Sequence, residues 1–191
     1  MYKLLLVFTI LGMAVRAEIA PKDGVSKKFE SSDFSPWTAP LTDQYGHQLK
    51  LEDIGGRHLL VTGLYTTCMN PAKCPLVAKW VQEAEVTRLK SPNNDKVRIV
   101  VISFDPNDTP ETLAEYSREN QWGNGVIFAK VNGGAKEVET FFRSLGFRLS
   151  VGEGGVSIHA VQMKFYDPQR HLLESSDRKV MDWSKVLESV S

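Results

Sequence analysis

Apolar positions follow two rhythms along this chain, and the switches between them mark its elements. His58 to Leu64 and Val97 to Phe104 are unbroken apolar runs of strand length, the pattern of strands covered on both faces. Between them Val77, Trp80, Val81 and Ala84 recur at helical spacing, which predicts an amphipathic helix over Leu76 to Leu89. Pro75 suits its first turn, and Lys79 and Glu83 lie one turn apart on its outer side. A second helix is predicted from Pro110 to about Asn120, with Asp108 or Thr109 as its cap. Gly125 to Val131 reads as a further strand, and Ala135 to Leu145 as a helix stopped by Gly146. The glycine-rich stretch Phe147 to Ser157 reads as a loop. Ile158 to Tyr166 then alternates, with Val161, Met163 and Phe165 on one face and Gln162 and Lys164 on the other. A turn at Asp167 to Arg170 leads to a short partner strand, His171 to Glu174, and Asp182 to Val190 closes as a helix. Upstream, Leu41-Thr42 and Gln48 to Leu51 flank a turn, which predicts an N-terminal β-hairpin.

Strand and helix alternate first and a hairpin closes the chain, so the expected class is α/β, with a central mixed β-sheet flanked by helices. Both cysteines, Cys68 and Cys74, fall between the first core strand and the first helix. A dithiol at that point of such an order is a thioredoxin-like pattern. Open α/β sheets gather their chemistry at the carboxyl ends of the parallel strands, which is where these cysteines lie.

The N-terminus sets the compartment. Lys3 precedes an apolar run, Leu4 to Val15, too short to span a bilayer, and Val15-Arg16-Ala17 offers small residues for cleavage. The expected organisation is a cleaved signal peptide at 1–17, a polar linker at 18–39 whose Phe34 and Trp37 dock onto the domain, and a thioredoxin-like domain at 40–191. The product would be exported, soluble and periplasmic. With 23 basic against 23 acidic residues in 191, the chain lacks the basic excess of a nucleic-acid binder. It meets a membrane only through a client, and the expected state is a monomer.

Export leaves three roles open for Cys68 and Cys74: a Cys68–Cys74 disulfide staple, a redox pair or a metal site. A disulfide closing so short a loop stabilises a fold by only about 2 kcal/mol, which a domain of this size does not need. The helix N-terminus after the pair favours thiolate. His159 shares parity with Val161, Met163 and Phe165 and begins the strand that, in a thioredoxin-like sheet, comes beside the dithiol. Two thiolates and one imidazole make a soft trigonal site suited to copper. Thioredoxin-class oxidoreductases keep a cis-proline before this strand, but no proline occurs between Pro110 and Pro168, and Ile158-His159 hold the position. That favours metal over dithiol exchange. Met69 is a thioether inside the loop, read as facing solvent rather than as an axial ligand. Asp105 either supports a ligand nitrogen or a loop amide, or makes the turn with Pro106. His47, His58 and His171 read as surface residues. Gly-x-Ser-x-Gly, a phosphate loop, His-Glu-x-x-His and a four-cysteine zinc site are all missing.

Three stretches then resemble one family. Tyr65-Thr66-Thr67-Cys68 with Cys74-Pro75, Ile102-Ser103-Phe104-Asp105-Pro106 with Asp108-Thr109-Pro110-Glu111, and His159 with Phe165-Tyr166-Asp167-Pro168 occur in order over Pro40 to Ser191. Together they are similar to the signatures of the Sco/SenC family of copper-handling assembly proteins. The resemblance implies Cu(I) or Cu(II) bound through Cys68, Cys74 and His159. It also implies a client such as a cytochrome c oxidase subunit, served by a non-catalytic metallochaperone, a thiol reductant, or both. The alternative is a thiol-disulfide oxidoreductase of thioredoxin or peroxiredoxin type without copper, using Cys68 and Cys74 as its redox pair. This chain departs from the family in having five residues between the cysteines instead of three, Ile158 where an acidic residue is common, and no expected membrane anchor.

Overall fold

The structure is a computed structural model that describes residues 34–152, 155–157, 161–177 and 181–190. The signal peptide expected at 1–17, the linker up to residue 33, and Ile158 and His159 lie outside the described residues.

Among the described residues there are nine strands and four helices, in the expected order apart from an added hairpin, β6 and β7. The hairpin β1 (Leu41–Asp43) and β2 (Gln48–Leu49) leads through one 3-10 turn, Leu51–Ile54, into β3 (His58–Leu64). Then come α1 (Cys74–Lys90), β4 (Val97–Ser103), α2 (Pro110–Glu119), β5 (Val126–Val131) and α3 (Ala135–Ser144). A small hairpin, β6 (Ser150–Gly152) and β7 (Gly155–Ser157), precedes β8 (Gln162–Tyr166), β9 (Leu172–Asp177) and α4 (Trp183–Glu188). Seven strands form one sheet in the order β2-β1-β5-β4-β3-β8-β9, and β6 and β7 pair only with each other. β3, β4 and β5 run parallel at the centre, while β1 and β8 flank them antiparallel. This is the mixed sheet of a thioredoxin-like fold.

The two faces of the sheet bury two cores. On one, Leu60, Ile99, Val101, Phe128 and Phe165 pack against the Val77, Trp80, Val81 and Ala84 stripe of α1, against Leu113 of α2 and against α4. On the other, Val61, Val100 and Ile102 pack against Val138, Phe141 and Phe142 of α3, and Phe34 and Trp37 pack on the same cluster. Gly63 is required at the end of β3. A Cβ there would lie 2.4 Å from Phe104 and 2.5 Å from Phe142, two rings whose centroids are 4.2 Å apart.

Three differences from the sequence reading have physical causes. Phe147 to Ser157 is not all loop, because three-residue strands broken by glycine are too short to show alternation. Gln162 and Lys164 do lie opposite Met163, yet both are buried. The Gln162 amide donates to the Arg148 carbonyl and accepts from the Arg148 amide, while the Lys164 ammonium sits over the Phe147 ring and donates to Ser175. The segment after α3 therefore covers a face that its polar residues mark as open. His58 is also not a plain surface residue, since its ring stacks on Phe165 and burial lowers its pKa against the opposing pull of Asp167. His47 and His171 are exposed, each bonded to the aspartate that opens its hairpin turn.

Candidate functional site: a dithiol at the carboxyl edge of the sheet

The parallel strands end level with one another, Leu64 opposite Ser103 and Ser103 opposite Lys130. The cysteine stretch leaves the sheet at that row. Cys74 is the first residue of α1 and is buried. Its sulfur accepts from the Tyr65 amide at 3.4 Å, so the thiol occupies a place where a backbone donor needs a partner. Cys68 is half-buried in the loop, its amide donating to the Tyr65 carbonyl at 3.3 Å. Residues 69–73 are exposed, and Met69 keeps 89% of its surface in solvent.

Both cysteines are free thiols, and the five intervening residues do not part them. The Cys74 amide and thiol are near enough to the Cys68 sulfur to favour its thiolate. Lys73 contributes no side-chain cap to α1, so the amides of the helix start are open toward the Cys68 loop. The two thiols are pushed in opposite directions. Burial would raise the Cys68 pKa, but the Cys74 amide and thiol, the Asn70 amide and the Lys73 charge outweigh it and hold Cys68 below its ordinary value. Burial, then the bond to Cys68 and its charge, push Cys74 up to about 12. The half-exposed thiol is thus the readier nucleophile and the buried one holds its proton. Tyr116 of α2 is within electrostatic range of both sulfurs; burial first, then their charges, raise its phenol to about 12.

The other expected site residues fall unequally. Asp105 follows β4, where its carboxylate accepts from the Asn107 amide at 2.9 Å within its own turn. Its neighbour Asp108, expected only as a helix cap, reaches the cysteine stretch. Thr109 takes the cap, accepting from the Thr112 amide. Asp108 is buried, and its carboxylate accepts from the Thr66 hydroxyl at 3.0 and 3.2 Å and from the Ser103 hydroxyl at 2.5 Å. Lys130 secures the same turn from β5, donating to the Pro106 carbonyl at 2.6 Å and the Asp108 carbonyl at 2.8 Å. The local sequence shows an acid before Thr-Pro; only the fold shows a partner 42 residues away. Among the described residues no three of His, Cys, Asp and Glu gather as a metal site. His159, the expected third ligand, lies outside them. Val161, two residues further on, belongs to the buried cluster that Cys74 joins and Cys68 packs against.

Among the described residues no helix is long and apolar enough to cross a membrane. No curated protein sequence matches the chain. Solved structures match its fold closely. ScoI of Arabidopsis thaliana with copper bound superposes with a TM-score of 0.62 at 21% identity, covering 80% of this chain and 92% of that one. A SCO1/SenC family lipoprotein of Bacillus anthracis gives 0.68 at 16% identity, with 79% and 89% covered. BsSco, a member of the Sco family of cytochrome c oxidase assembly proteins in which a disulfide switch was identified, gives 0.65 at 21%, with 79% and 88% covered. The SCO1/SenC family profile matches residues 29–188, and with most of the chain inside that match the protein belongs to the SCO1/SenC family.

Proposed function

We propose that the protein binds copper as cargo through the Cys68 and Cys74 sulfurs with His159 as third ligand. In this reading it is exported to the periplasm and serves copper-site assembly in a client such as a cytochrome c oxidase subunit. The observation that carries the reading is that both cysteines lie at the carboxyl edge of the sheet, close enough for each thiol to act on the other despite the longer spacing. The donor set fits the metal, because thiolate sulfur is soft and suits copper. Ligand thiols must be deprotonated. Cys68 is already disposed to lose its proton, and Cys74 gives one up on binding against the burial that holds it. Val161, two residues on from His159 and leading into the strand that pairs with β3, belongs to the same buried core as Cys74, and copper is bound in solved structures of Sco proteins from Arabidopsis thaliana and yeast.

The test is copper titration of the reduced protein, read by thiolate-to-copper absorption. One copper per chain is expected for the wild type, with loss in Cys68→Ser and Cys74→Ser. Unchanged affinity and spectrum in His159→Ala would remove the third ligand, and no uptake by the wild type would remove copper altogether. Export is checked by N-terminal sequencing of the secreted chain, which should begin at Glu18.

A second reading, thiol-disulfide chemistry on a client, is favoured by the inequality of the two thiols. It needs Cys68 and Cys74 but not His159. A reduction potential below about −300 mV would make the pair a stable staple and end it.

A further inference from the structure

Asp108 lies on the far side of β4 from the cysteines in sequence, yet it is tied to the residue two before Cys68. A carboxyl group with so little exposure needs hydrogen bonds in place of water. Two hydroxyls supply them here, those of Ser103 and Thr66. Ser103 is fully buried in the sheet and cannot move without it. The Lys130 ammonium fixes the turn that carries Asp108 by binding two of its carbonyls. The chain of contacts thus runs from β5 through Lys130 to the 105–109 turn, and from Asp108 to Thr66. Thr66 is the only link in it free to respond, being half-buried and in the loop rather than the sheet.

The two thiols meet this arrangement differently. Cys74 is held by the start of α1 and the core. Cys68 is only half-buried at the edge of that core, its amide bonded to the Tyr65 carbonyl, and Thr66 lies inside that short turn. Joining the sulfurs needs an S–S bond of about 2.05 Å, closer than hydrogen-bonded thiols. With Cys74 fixed, the loop half has to move.

We infer that Asp108 is a positioning residue: through its hydrogen bonds to Thr66 it holds the Cys68 loop in the dithiol arrangement and sets how readily Cys68 and Cys74 close to a disulfide. This rests on the reading of the pair as the working site, but it needs no metal.

The experiment is a redox titration of the metal-free chain against glutathione, following Cys68–Cys74 closure. The two thiols give up two electrons and two protons, and glutathione disulfide is reduced to two thiols. Thr66→Val removes the hydroxyl and keeps the shape. It should favour the disulfide about tenfold, a potential lower by about 30 mV for this two-electron couple. Thr66→Ser should restore the wild-type potential. Asp108→Asn should lower it as well, and adding it to Thr66→Val should change little, because the two share one interaction. Thermal melting run beside each variant separates loss of fold from loss of positioning. A Thr66→Val chain that melts like wild type and keeps its potential overturns the inference, as does a Thr66→Ser chain that shifts as far as the valine. Because the titration contains no copper, failure of the copper reading leaves this result intact, and the separate copper titration leaves it untouched in turn.

Discussion

The two halves of the cysteine stretch are held by different kinds of force. The helix half begins at Cys74, a buried residue that packs with Val77, Ala78 and Val81 and gives its sulfur to the Tyr65 amide. The loop half, Tyr65 to Asn70, packs only Tyr65 and Cys68 against the cores and is half-buried or exposed throughout, and polar contacts tie it: the Cys68 amide to the Tyr65 carbonyl and Thr66 to Asp108. Packing is non-directional and hard to adjust, whereas hydrogen bonds are directional and are each worth only about 0.5–1.5 kcal/mol net. The fold therefore keeps one thiol fixed and the other adjustable. Their opposite pKa shifts come from the same division, since burial dominates one site and donors the other.

The sharpest way to break this comparison is to remove each sulfur in turn. Both Cys68→Ser and Cys74→Ser should abolish stoichiometric copper uptake. Only Cys74→Ser should also lower stability, by about 1–3 kcal/mol, because a hydroxyl replaces a sulfur in an apolar site. Urea unfolding of the metal-free variants checks this. Equal losses for both would mean that the loop half is held by packing after all.

Next in size is Gly63→Ala. The new methyl meets the Phe104 and Phe142 rings at less than 3 Å, so the rings or the strand must shift. Overpacking of this kind costs about 1–3 kcal/mol. Phe104 also contacts Tyr65, with ring centroids 5.5 Å apart, so the disturbance reaches the root of the loop. Calorimetry should show the lowered Tm. A wild-type melt would place the glycine's importance elsewhere than in this contact.

The thiols also separate by pH. In the metal-free reduced chain, alkylation at Cys68 should proceed at a pH below the ordinary thiol range, while Cys74 stays protected into strongly alkaline solution. Stability follows with opposite signs. The lowered Cys68 pKa contributes stability above the unfolded value, lost as pH falls through the folded one. The raised Cys74 pKa contributes stability that is complete below the unfolded value and is lost as pH rises toward about 12. Tyr116 is raised to about 12 and loses its contribution over the same window. Alkaline unfolding should therefore begin later in Cys74→Ala than in wild type, measured against each chain's stability at neutral pH. An unchanged alkaline limb would remove Cys74 from the balance.

How legible each half was follows from the same physics. Apolar runs and helical spacing report burial directly, so β3, the buried stripe of α1 and β4 are read from His58 to Ser103 without the fold. Cys74 itself falls inside α1, two residues before the expected start, because Pro75 is tolerated in the first turn and the helix begins just ahead of it. The tether was not legible. Asp108 stands in a sequence that advertises a helix cap, and its real partners, Ser103 and Thr66, come from a fold-level juxtaposition that no local pattern encodes. Glu85 and Arg88 of α1, which the sequence reading passes over, show the same limit: both are buried and paired, with Glu85 accepting from the Gly125 amide. Polar residues are read as exposed by default, and the errors gather where a distant element supplies the partner.

Met69 should give the smallest effect. It lies in the loop half, next to Cys68, and a thioether there is chemically able to bind copper. Yet at 89% exposure its side chain makes almost no use of the surrounding protein. A side chain that touches so little is not held in place for a ligand role, and holding it there would cost its rotamer freedom. Met69→Ala should shift stability by less than about 0.5 kcal/mol. It should also leave the copper affinity and absorption spectrum of the reduced chain as they are. A weakened or altered spectrum in Met69→Ala would show that the exposed loop folds back onto the metal. The loop half would then move further than the Thr66 tether allows, and the contrast between a fixed and an adjustable thiol would need a third, mobile ligand beside it.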